Sequence, residues 1–508
     1  MTARADVAIV GYGPVGQVLA ILLGQHGRRV EVFERWPEPY PLPRAVHFDH
    51  EVARILQSAG VGEALAPYTE PASRYEWRNA AGDLLLSIGR DAGAGLSGWP
   101  ESTMFSQPDL ERVLDARAGA LPSVRVARGA EVVGVRQDGL GAELTVRGAD
   151  GSLRTAQARY VVGCDGANSF VRGALAASWT DLGFAFDWLV VDLVPSEPRR
   201  WDPMNWQLCD PARPTTLVSG GPGRRRFEFM RLPGESLQAL GAAETAWRLL
   251  APFGLTAENA TLERHALYTF RGAWADPWRN GRLLLAGDAA HLMPPFAGQG
   301  MCAGLRDAAN LAWKLDLVLD GRAPESLLDS YPSERLAHVR TAIDFSISLG
   351  RVICVADPEE AKARDERMIG EERARTAPLA LGAPGMTTGL LGAGGGPLFV
   401  QDRVALAGRS GLFDDVVGRG FVLVSPHGDP SRELDAELAA WFASVGGRTA
   451  HVGADAPVQD ANGSYQRWFR GAGAAVALQR PDFYVFGTAA DLAGTAELVR
   501  TLRAKLAG

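Results

Sequence analysis

The chain has 508 residues, of which 46% are hydrophobic and 22% are charged, and its formal net charge at pH 7 is −7. This length predicts about two or three domains, and this composition is typical of a globular protein. The negative charge without a basic run argues against a nucleic-acid partner, and no apolar stretch reaches the roughly 18 residues that a membrane-spanning helix needs.

The cysteines and the first residues indicate the compartment. Cys164, Cys209, Cys302 and Cys354 show neither the spacing of metal ligands nor a CxxC pair. The opening segment MTARAD has no signal-peptide core, and the first predicted strand begins almost at once. We therefore expect a cytoplasmic protein with reduced thiols, no metal site and no membrane partner.

The first predicted unit is a strand, a glycine-rich turn and a helix within DVAIVGYGPVGQVLAILLGQHGRRVEVFE. Gly11 can form the tight turn, Gly13 lets a pyrophosphate approach the backbone, and Gly16 allows close contact between helix and strand. A second strand ends at Glu34, eighteen residues after Gly16, where a carboxylate can accept both hydroxyls of an adenosine ribose. The unit predicts a dinucleotide site, and the alternative is a purely structural turn.

Three polar residues downstream are candidates for the same site. Arg44 lies in the proline-rich segment RWPEPYPLPRAVHFDHE. It is either a cation that lies close to the cofactor phosphates or to a transient nicotinamide, or it is an ordinary surface arginine. His47 is either a proton-transfer group or a solvated loop histidine. Gln107 precedes a predicted helix, where its side chain can reach the cofactor. The alternative is that this segment only caps the helix N-terminus through Ser106 or Asp109.

The following strands predict a β-meander that ends in the buried strand of YVVGCDGANSFVR. Asp165 in this segment either caps a helix or contacts a ligand at the carboxyl edge of a parallel sheet. The next hundred residues predict a second, strand-rich layer whose aromatic residues form either a ligand pocket or an ordinary core. These aromatic residues include Trp188, Trp201, Trp206 and Phe227.

A further strand, turn and long helix are predicted in RNGRLLLAGDAAHLMPPFAGQGMCAGLRDAANLAWKLDLVLDG. Asp288 in the turn can accept a hydrogen bond from a polyol hydroxyl. The helix start at Gly298, Gln299 and Gly300 can present backbone N–H groups to an anionic ring oxygen or to phosphate.

Together these motifs resemble the single-component FAD-dependent aromatic hydroxylases, the class A flavoprotein monooxygenases that include para-hydroxybenzoate hydroxylase and phenol hydroxylase. The GxGxxG turn with Glu34, the CDG segment at Asp165 and the GDAAH segment at Asp288 match that group in order and spacing. The segments PRAVHFDHE, RRFEFMRLPGE and AGDAAHLMPPFAGQGMCAGLRDAANLAWKL further resemble the 3-(3-hydroxyphenyl)propionate hydroxylase branch. The resemblance covers roughly residues 6–350.

The resemblance implies FAD as cofactor and NADH or NADPH as a transient reductant. Arg44 and Gln107 would hold the middle of FAD, Asp288 its ribitol and pyrophosphate region, and Asp165 would also help the nicotinamide to pass. Pro294 and the backbone that ends at Met301 would face the isoalloxazine ring. The implied cofactor contacts are Gly11, Gly13, Pro14, Gly16, Glu34, Arg35, Arg44, Gln107, Asp165, Asp288, Pro295, Gly298, Gly300 and Met301.

The implied reaction is hydroxylation of a phenol beside its own hydroxyl, by way of a flavin C4a-hydroperoxide formed with O₂, with His47, Arg44 and Pro294 as catalytic residues. The expected substrate is a phenol with a short acidic side chain, of the 3-(3-hydroxyphenyl)propionate type met in aromatic catabolism. Arg225 or Arg226 would pair with its carboxylate, and the alternative is a surface strand arginine. The expected substrate contacts are Arg225, Arg226, Phe227, Phe229, Tyr268 and Trp206.

The expected fold is α/β, with a Rossmann-like FAD-binding domain, an inserted β-sheet substrate domain and a C-terminal domain. The tail, ending in RPDFYVFG and a helix, resembles the thioredoxin-like domain of the phenol hydroxylase group. It holds no cysteine, which leaves packing, oligomerisation (such as a homodimer) or support of the substrate domain as its role. The predicted domains are residues 1–173 (FAD-binding, first part), 174–274 (substrate), 275–355 (FAD-binding, second part), 356–400 (helix and Gly-rich linker) and 401–508 (thioredoxin-like).

Three other functions stay open at this stage. The chain could be a tailoring hydroxylase of a larger aromatic polyketide, because the sequence does not give the volume of the pocket. It could also be a flavin oxidoreductase without oxygen transfer, or a flavin-binding protein without catalysis.

Overall fold

The computed structural model describes residues 4–72, 74–89, 93–376 and 385–507. The predicted Gly-rich linker therefore lies partly outside the described residues. The charged segment before it forms the helix Pro358–Ala374, as its sequence predicts.

The first sheet has a parallel centre of long apolar strands. Ala5–Val10 lies between Val30–Glu34 and Leu153–Gly163, and both neighbours run parallel to it. These central strands are buried on both sides, and Val7 and Ile9 are completely buried. In spatial order the strands are Arg279–Asn280, Leu283–Leu285, Leu153–Gly163, Ala5–Val10, Val30–Glu34 and Val124–Arg128, with Ala142–Arg147 and Glu131–Gln137 continuing from Leu153–Gly163.

The second sheet forms the substrate layer. Its longest strands, Ser178–Pro195 and Ala260–Asp276, are antiparallel. Asn205–Leu208 pairs in parallel with Tyr75–Arg78, so the sheet draws on both sides of the predicted boundary at residue 174, and the domain boundaries stay predictions. The strands in spatial order are His291–Leu292, Ala260–Asp276, Ser178–Pro195, Arg225–Met230, Thr215–Ser219, Asn205–Leu208, Tyr75–Arg78 and Leu84–Ile88.

A small third sheet lies beside the proline-rich loop. Its strands are His47–Asp49, Ser102–Phe105 and Thr69–Pro71. Helix His50–Ser58 begins directly after this sheet, and the Asp49 carboxylate accepts a hydrogen bond from the Val52 N–H at 3.0 Å. A capping carboxylate at this position explains why the helix begins where the prolines end.

The C-terminal domain has the thioredoxin-like order of strands and helices. Val422–Ser425 pairs in parallel with Arg448–Gly453 and antiparallel with Val476–Gln479, which pairs antiparallel with Val485–Ala489. The full strand order is Arg409–Leu412, Arg403–Leu406, Val458–Asp460, Arg448–Gly453, Val422–Ser425, Val476–Gln479 and Val485–Ala489. The predicted α/β fold with three such parts is therefore confirmed.

The helices pack around these sheets. Pro14–Gln25 contacts both Gly300–Leu319 and Gln107–Gly119, which places the glycine-rich turn and two other predicted site segments on one side of the first sheet. The α-helices described are Pro14–Gln25, His50–Ser58, Gly62–Leu65, Gln107–Gly119, Phe170–Leu175, Leu237–Leu240, Ala243–Leu250, Gly300–Leu319, Ser330–Ile353, Pro358–Ala374, Phe413–Val416, Ala436–Ser444, Ser464–Ala472 and Thr495–Ala507.

Candidate active site

The three glycines of the turn meet different surroundings. Gly11 has a φ of +98°, and a Cβ atom there would lie 2.4 Å from the Cys164 carbonyl oxygen. A Cβ atom at Gly16 would lie 2.2 Å from the Gly11 carbonyl oxygen, whereas one at Gly13 would meet no atom of the described residues within 4 Å. Gly11 and Gly16 are therefore required by the protein's own packing. Gly13 leaves an open approach to the helix N-terminus, which fits a pyrophosphate.

Glu34 lies at the carboxyl end of its strand, beside this turn. Its two carboxylate oxygens accept hydrogen bonds from the backbone N–H groups of Tyr12 at 2.8 Å and Trp36 at 2.9 Å. These bonds hold the carboxylate in place and leave further lone pairs for ribose hydroxyls. Arg35 lies over the Trp36 ring, with 5.1 Å between Cζ and the ring centroid, and its cofactor contact stays a prediction.

A cavity of about 440 Å³ runs from the turn to the substrate sheet. Its volume falls in the usual range of ligand sites, roughly 300–1,000 Å³. Many of the predicted site residues share its lining, namely Gly13, Pro14, Arg44, His47, Gln107, Arg226, Asp288, Pro295, Gly298, Gly300 and Met301. The structure thus brings together segments that are far apart in the sequence. Pro294 does not line the cavity, and its predicted catalytic role has no support from its position.

Gln107 holds the loop that carries Arg44. Its side-chain oxygen accepts a hydrogen bond from the Ala45 N–H at 2.7 Å, and its amide donates to Glu111 at 2.7 Å. Ser106 makes no capping hydrogen bond through its side chain, so the capping alternative does not describe this helix start. The Arg44 guanidinium stacks 4.3 Å from the Tyr40 ring centroid and is exposed at the cavity wall.

Asp165 caps a helix, and its contact with the cofactor stays a prediction. Its carboxylate accepts hydrogen bonds from the Ser169 hydroxyl at 2.5 Å and from the backbone N–H groups of Phe170 at 2.7 Å and Val171 at 3.1 Å. Burial nevertheless raises its pKa above the ordinary value. The structure thus shows the first of its two interpretations, a helix cap, while the neighbouring Cys164 and Gly166 line the cavity.

Asp288 projects into the cavity from the turn that follows Leu283–Leu285. Its side chain is open to the cavity but otherwise enclosed by protein, and this loss of hydration raises its pKa. Asp307, which the sequence reasoning missed, accepts hydrogen bonds from the Gly287 N–H at 3.0 Å and from His291 at 2.7 Å. The only signal for Asp307 was a charged residue in the apolar part of a helix.

His47 lies at the other wall of the cavity. Its Nδ1 is 3.3 Å from the Gly298 carbonyl oxygen, and burial lowers its pKa below 6.5. A carbonyl oxygen can only accept, so Nδ1 carries the proton of the neutral ring and Nε2 is left as a proton acceptor. This geometry suits a general base better than a solvated loop histidine.

Arg226 forms its hydrogen bonds with other residues of the protein. Its guanidinium donates to both oxygens of Asp192, at 2.7 and 3.0 Å, and to the backbone carbonyls of Pro43 at 3.1 Å and Arg44. It therefore fixes the Arg44 loop, which corrects its expected pairing with a substrate carboxylate. Arg225 points away from the cavity, where it donates to the Met204 carbonyl.

The other four expected substrate contacts also lie outside the cavity. Successive residues of a strand point to opposite faces, so Phe227 and Phe229 pack on the outer face of the sheet against Phe253. Trp206 joins that outer cluster. Tyr268 lies beneath the Arg264 guanidinium. Their positions correct the expectation of substrate contact and favour the core-packing alternative.

The same alternation turns Glu228 toward the cavity, and the sequence reasoning missed this residue. The residue is buried, with 6% exposure, and burial raises the pKa of its side chain to about 7. A period of two in RRFEFM puts Arg226 and Glu228 on one face. That signal could have been read once the inner face of the strand was known.

Two features are absent from the residues that the structure describes. No group of three or more His, Cys, Asp or Glu side chains there is arranged to hold a metal ion. No helix in the same residues combines the length and apolar character needed to cross a membrane.

Comparison with known families agrees with this geometry. The model of the FAD binding domain family matches residues 4–346, and the model of the HcaD C-terminal domain matches residues 396–505. The chain therefore belongs to the FAD binding domain family.

Two relatives are similar along most of the chain. A probable NADH-specific resorcinol 4-hydroxylase from Rhodococcus jostii is 42% identical, covering 99% of this chain and 95% of the relative. A 3-(3-hydroxy-phenyl)propionate/3-hydroxycinnamic acid hydroxylase from Klebsiella pneumoniae is 33% identical, covering 95% of this chain and 91% of the relative. The chain is therefore a class A flavin monooxygenase, an FAD-dependent aromatic hydroxylase that uses NAD(P)H.

Solved structures support the fold. The flavin-dependent monooxygenase PieE, with FAD and substrate, superposes with a TM-score of 0.83 at 21% identity, covering 99% of both chains. Aklavinone-11 hydroxylase, with FAD and aklavinone, gives a TM-score of 0.76 at 24% identity and covers all of both chains. At these identities the likeness concerns the fold alone.

Proposed function

We propose that this enzyme hydroxylates an uncharged single-ring phenol of the resorcinol type, at a carbon beside an existing hydroxyl, with NADH as reductant. The overall reaction consumes the phenol, O₂, NADH and a proton. One oxygen atom enters the ring, the other leaves as water, and NADH supplies the two electrons.

The observation that carries this proposal is the commitment of Arg226. It is the one arginine of the substrate sheet that lines the cavity among the described residues, and four of its five N–H groups donate to Asp192 and to two backbone carbonyls. Among the described residues that line the cavity, this sheet therefore offers a substrate carboxylate no cation without an internal counter-ion. The resorcinol hydroxylase relative, at 42% identity, points to the same class of substrate.

Different residues of the chain would bind FAD, accept a proton and exclude water. The turn at Gly13 and Pro14 and the carboxylate of Asp288 would hold FAD, which when bound supplies electron transfer from nicotinamide to O₂. His47 would accept the proton of the reacting hydroxyl at Nε2, which makes the ring more electron-rich. The apolar lining, which includes Met104, would keep water from the reaction.

A 3-(3-hydroxyphenyl)propionate-like acid is the second candidate substrate. It is favoured by the Klebsiella pneumoniae relative, at 33% identity, and by Arg44, an exposed cation at the cavity wall. A large polyketide fits less well, because the cavity of about 440 Å³ must also receive part of the flavin ring. The cytoplasmic setting and a homodimer stay predictions.

The test uses purified enzyme saturated with FAD, and it follows NADH consumption, H₂O₂ release and product mass. Resorcinol should speed NADH oxidation and give a product with one added oxygen atom and little H₂O₂. Turnover of 3-(3-hydroxyphenyl)propionate but not of resorcinol would establish the second candidate instead. NADH oxidation that yields only H₂O₂ with every phenol would show an oxidoreductase without oxygen transfer.

A further inference from the structure

Glu228 is the one carboxylate that the substrate sheet contributes to the cavity lining among the described residues. Its side chain is only 8% exposed, yet it accepts no hydrogen bond from any residue that the structure describes. The nearest cation, Arg226 Nη1, lies 3.9 Å from its Oε1, beyond hydrogen-bond distance. Buried carboxylates normally have donors, so this one lacks a partner that the cavity can supply.

The polar neighbours of Glu228 have other partners. Thr216, directly opposite it on the adjacent strand, donates its hydroxyl to Gln207 at 2.6 Å. The Tyr75 hydroxyl donates to the same Gln207 oxygen at 3.3 Å. Arg226 is held by Asp192 at 2.7 Å. A ligand that enters the cavity therefore meets a carboxylate whose neighbours Thr216, Tyr75 and Arg226 already have partners. Arg264, whose charge also acts on Glu228, donates to the Pro43 carbonyl, and its Nε and Nη2 have no partner among the described residues.

We propose that Glu228 is the specificity-determining residue of this site: its carboxylate accepts a hydrogen bond from a second hydroxyl of the substrate and excludes aromatic acids. This inference rests on the proposed function and names the contact that would select its substrate class. An O–H to carboxylate hydrogen bond is short and strong. A carboxylate on the substrate would instead bring two anions together in a poorly hydrated space.

The charges around Glu228 agree with this assignment. Burial raises its pKa to about 7, Arg226 and Arg264 act to lower it, and Asp192 acts to raise it. The carboxylate is therefore largely ionised at slightly alkaline pH. Tyr75 faces the same space, and burial together with the Glu228 charge raises its pKa, so that its hydroxyl stays neutral.

The test compares Glu228→Gln with the wild-type holoenzyme on three phenols. Resorcinol carries the second hydroxyl, 3-methoxyphenol carries an ether oxygen that cannot donate, and 3-(3-hydroxyphenyl)propionate carries an acid. In the wild type, kcat/KM for resorcinol should exceed that for 3-methoxyphenol by about tenfold or more. In Glu228→Gln this preference should shrink severalfold, mainly through KM, and kcat/KM for the acid relative to resorcinol should rise about tenfold.

The matched control is Glu76→Gln. Glu76 lies on the same sheet beside Tyr75, but it pairs with Arg78 and does not line the cavity. It should leave all three ratios unchanged. An equal loss for all three phenols in Glu228→Gln, or no change in their ratios, would overturn the proposal.

Two further measurements keep the outcome clear. If Glu228→Gln does not fold, as judged by its FAD content, Glu228→Asp replaces it: the acid should stay excluded and resorcinol should bind more weakly. If the wild type oxidises NADH without hydroxylating any phenol, the proposed function fails. Glu228 is then judged by binding alone, from the change in flavin absorbance, and equal affinity of wild type and Glu228→Gln for resorcinol would overturn its role too.

Discussion

Gly13 and Gly16 belong to one turn, but their surroundings differ, so we expect Gly13 to matter for cofactor binding and Gly16 to matter for folding. We expect Gly13→Ala to leave the melting temperature of the FAD-free protein almost unchanged, because its Cβ atom meets nothing within 4 Å. The same methyl group lies on the phosphate approach, so FAD affinity should fall about tenfold or more. Fluorescence titration with FAD measures the affinity.

Gly16→Ala should behave in the opposite way. Its Cβ atom would lie 2.2 Å from a backbone oxygen, so strand and helix must move apart. We expect a loss of about 1–3 kcal/mol in the free energy of unfolding, measured on the FAD-free protein in urea. Equal stability of the two variants would contradict this view of the turn.

His47 and Glu228 predict the dependence of kcat/KM on pH. Both groups act as acceptors in their deprotonated forms, so the rate should fall as the pH drops through each pKa. The first fall is expected at about pH 7, where Glu228 titrates, and a second at lower pH, because burial holds the His47 pKa below 6.5. Glu228→Gln should remove the first fall, and His47→Gln should remove the second and lower kcat about 10²-fold or more.

At the scale of elements, the strand Arg225–Met230 joins two layers of the molecule. Its inner face carries Arg226, which reaches from the substrate sheet to the loop of Pro43 and Arg44, while its outer face carries the aromatic core of the sheet. The position of the Arg44 loop, and hence one wall of the cavity, therefore depends on this strand.

We expect Arg226→Met to cost about 3–5 kcal/mol of unfolding free energy, because it leaves Asp192 buried without its partner. FAD should also bind more weakly as the loop loses its anchor. The control is Arg224→Met, since Arg224 is partly exposed and its pairing with Glu263 at 3.2 Å is worth no more than about 1 kcal/mol. Denaturant unfolding measures both, and similar losses would refute a special role for Arg226.

At the scale of the whole molecule, a buried ionic network joins the flavin-binding helices to the C-terminal domain. Glu334 accepts hydrogen bonds from Lys314 and from Arg480, each at 2.7 Å, and Arg480 also donates to Asp482 at 2.7 Å. These four side chains are almost fully buried. A thioredoxin-like domain without cysteines is thereby part of the structure that holds the helix Gly300–Leu319.

Glu334→Gln should weaken this connection by about 3–5 kcal/mol at neutral pH, because Lys314 and Arg480 lose a buried counter-ion. The surrounding cations lower the pKa of Glu334 below its ordinary 4.5, so its stabilising effect is present above that pH and is lost as the pH falls through the lowered value. The difference in melting temperature between wild type and variant should therefore shrink in acid. Glu497→Gln, at an exposed carboxylate, is the control.

The sequence by itself determined the parts that depend on local pattern. The three glycines, the helix after them and Glu34 predict a dinucleotide site because strand, turn and helix are contiguous, and the structure places them as expected. The cofactor, the class of enzyme and the order of the three parts followed from such contiguous motifs and from the family resemblance that they carry.

Only the tertiary structure decided which polar and aromatic side chains face the cavity. Asp165 became a helix cap because three donors of its own segment surround it. Arg226 and Glu228 lie on one face of their strand, and Phe227 and Phe229 lie on the other. Pairing with distant strands decides which of these two faces points toward the cavity. Strand alternation is visible in a sequence, but the inward direction is not, because it depends on what packs against the sheet.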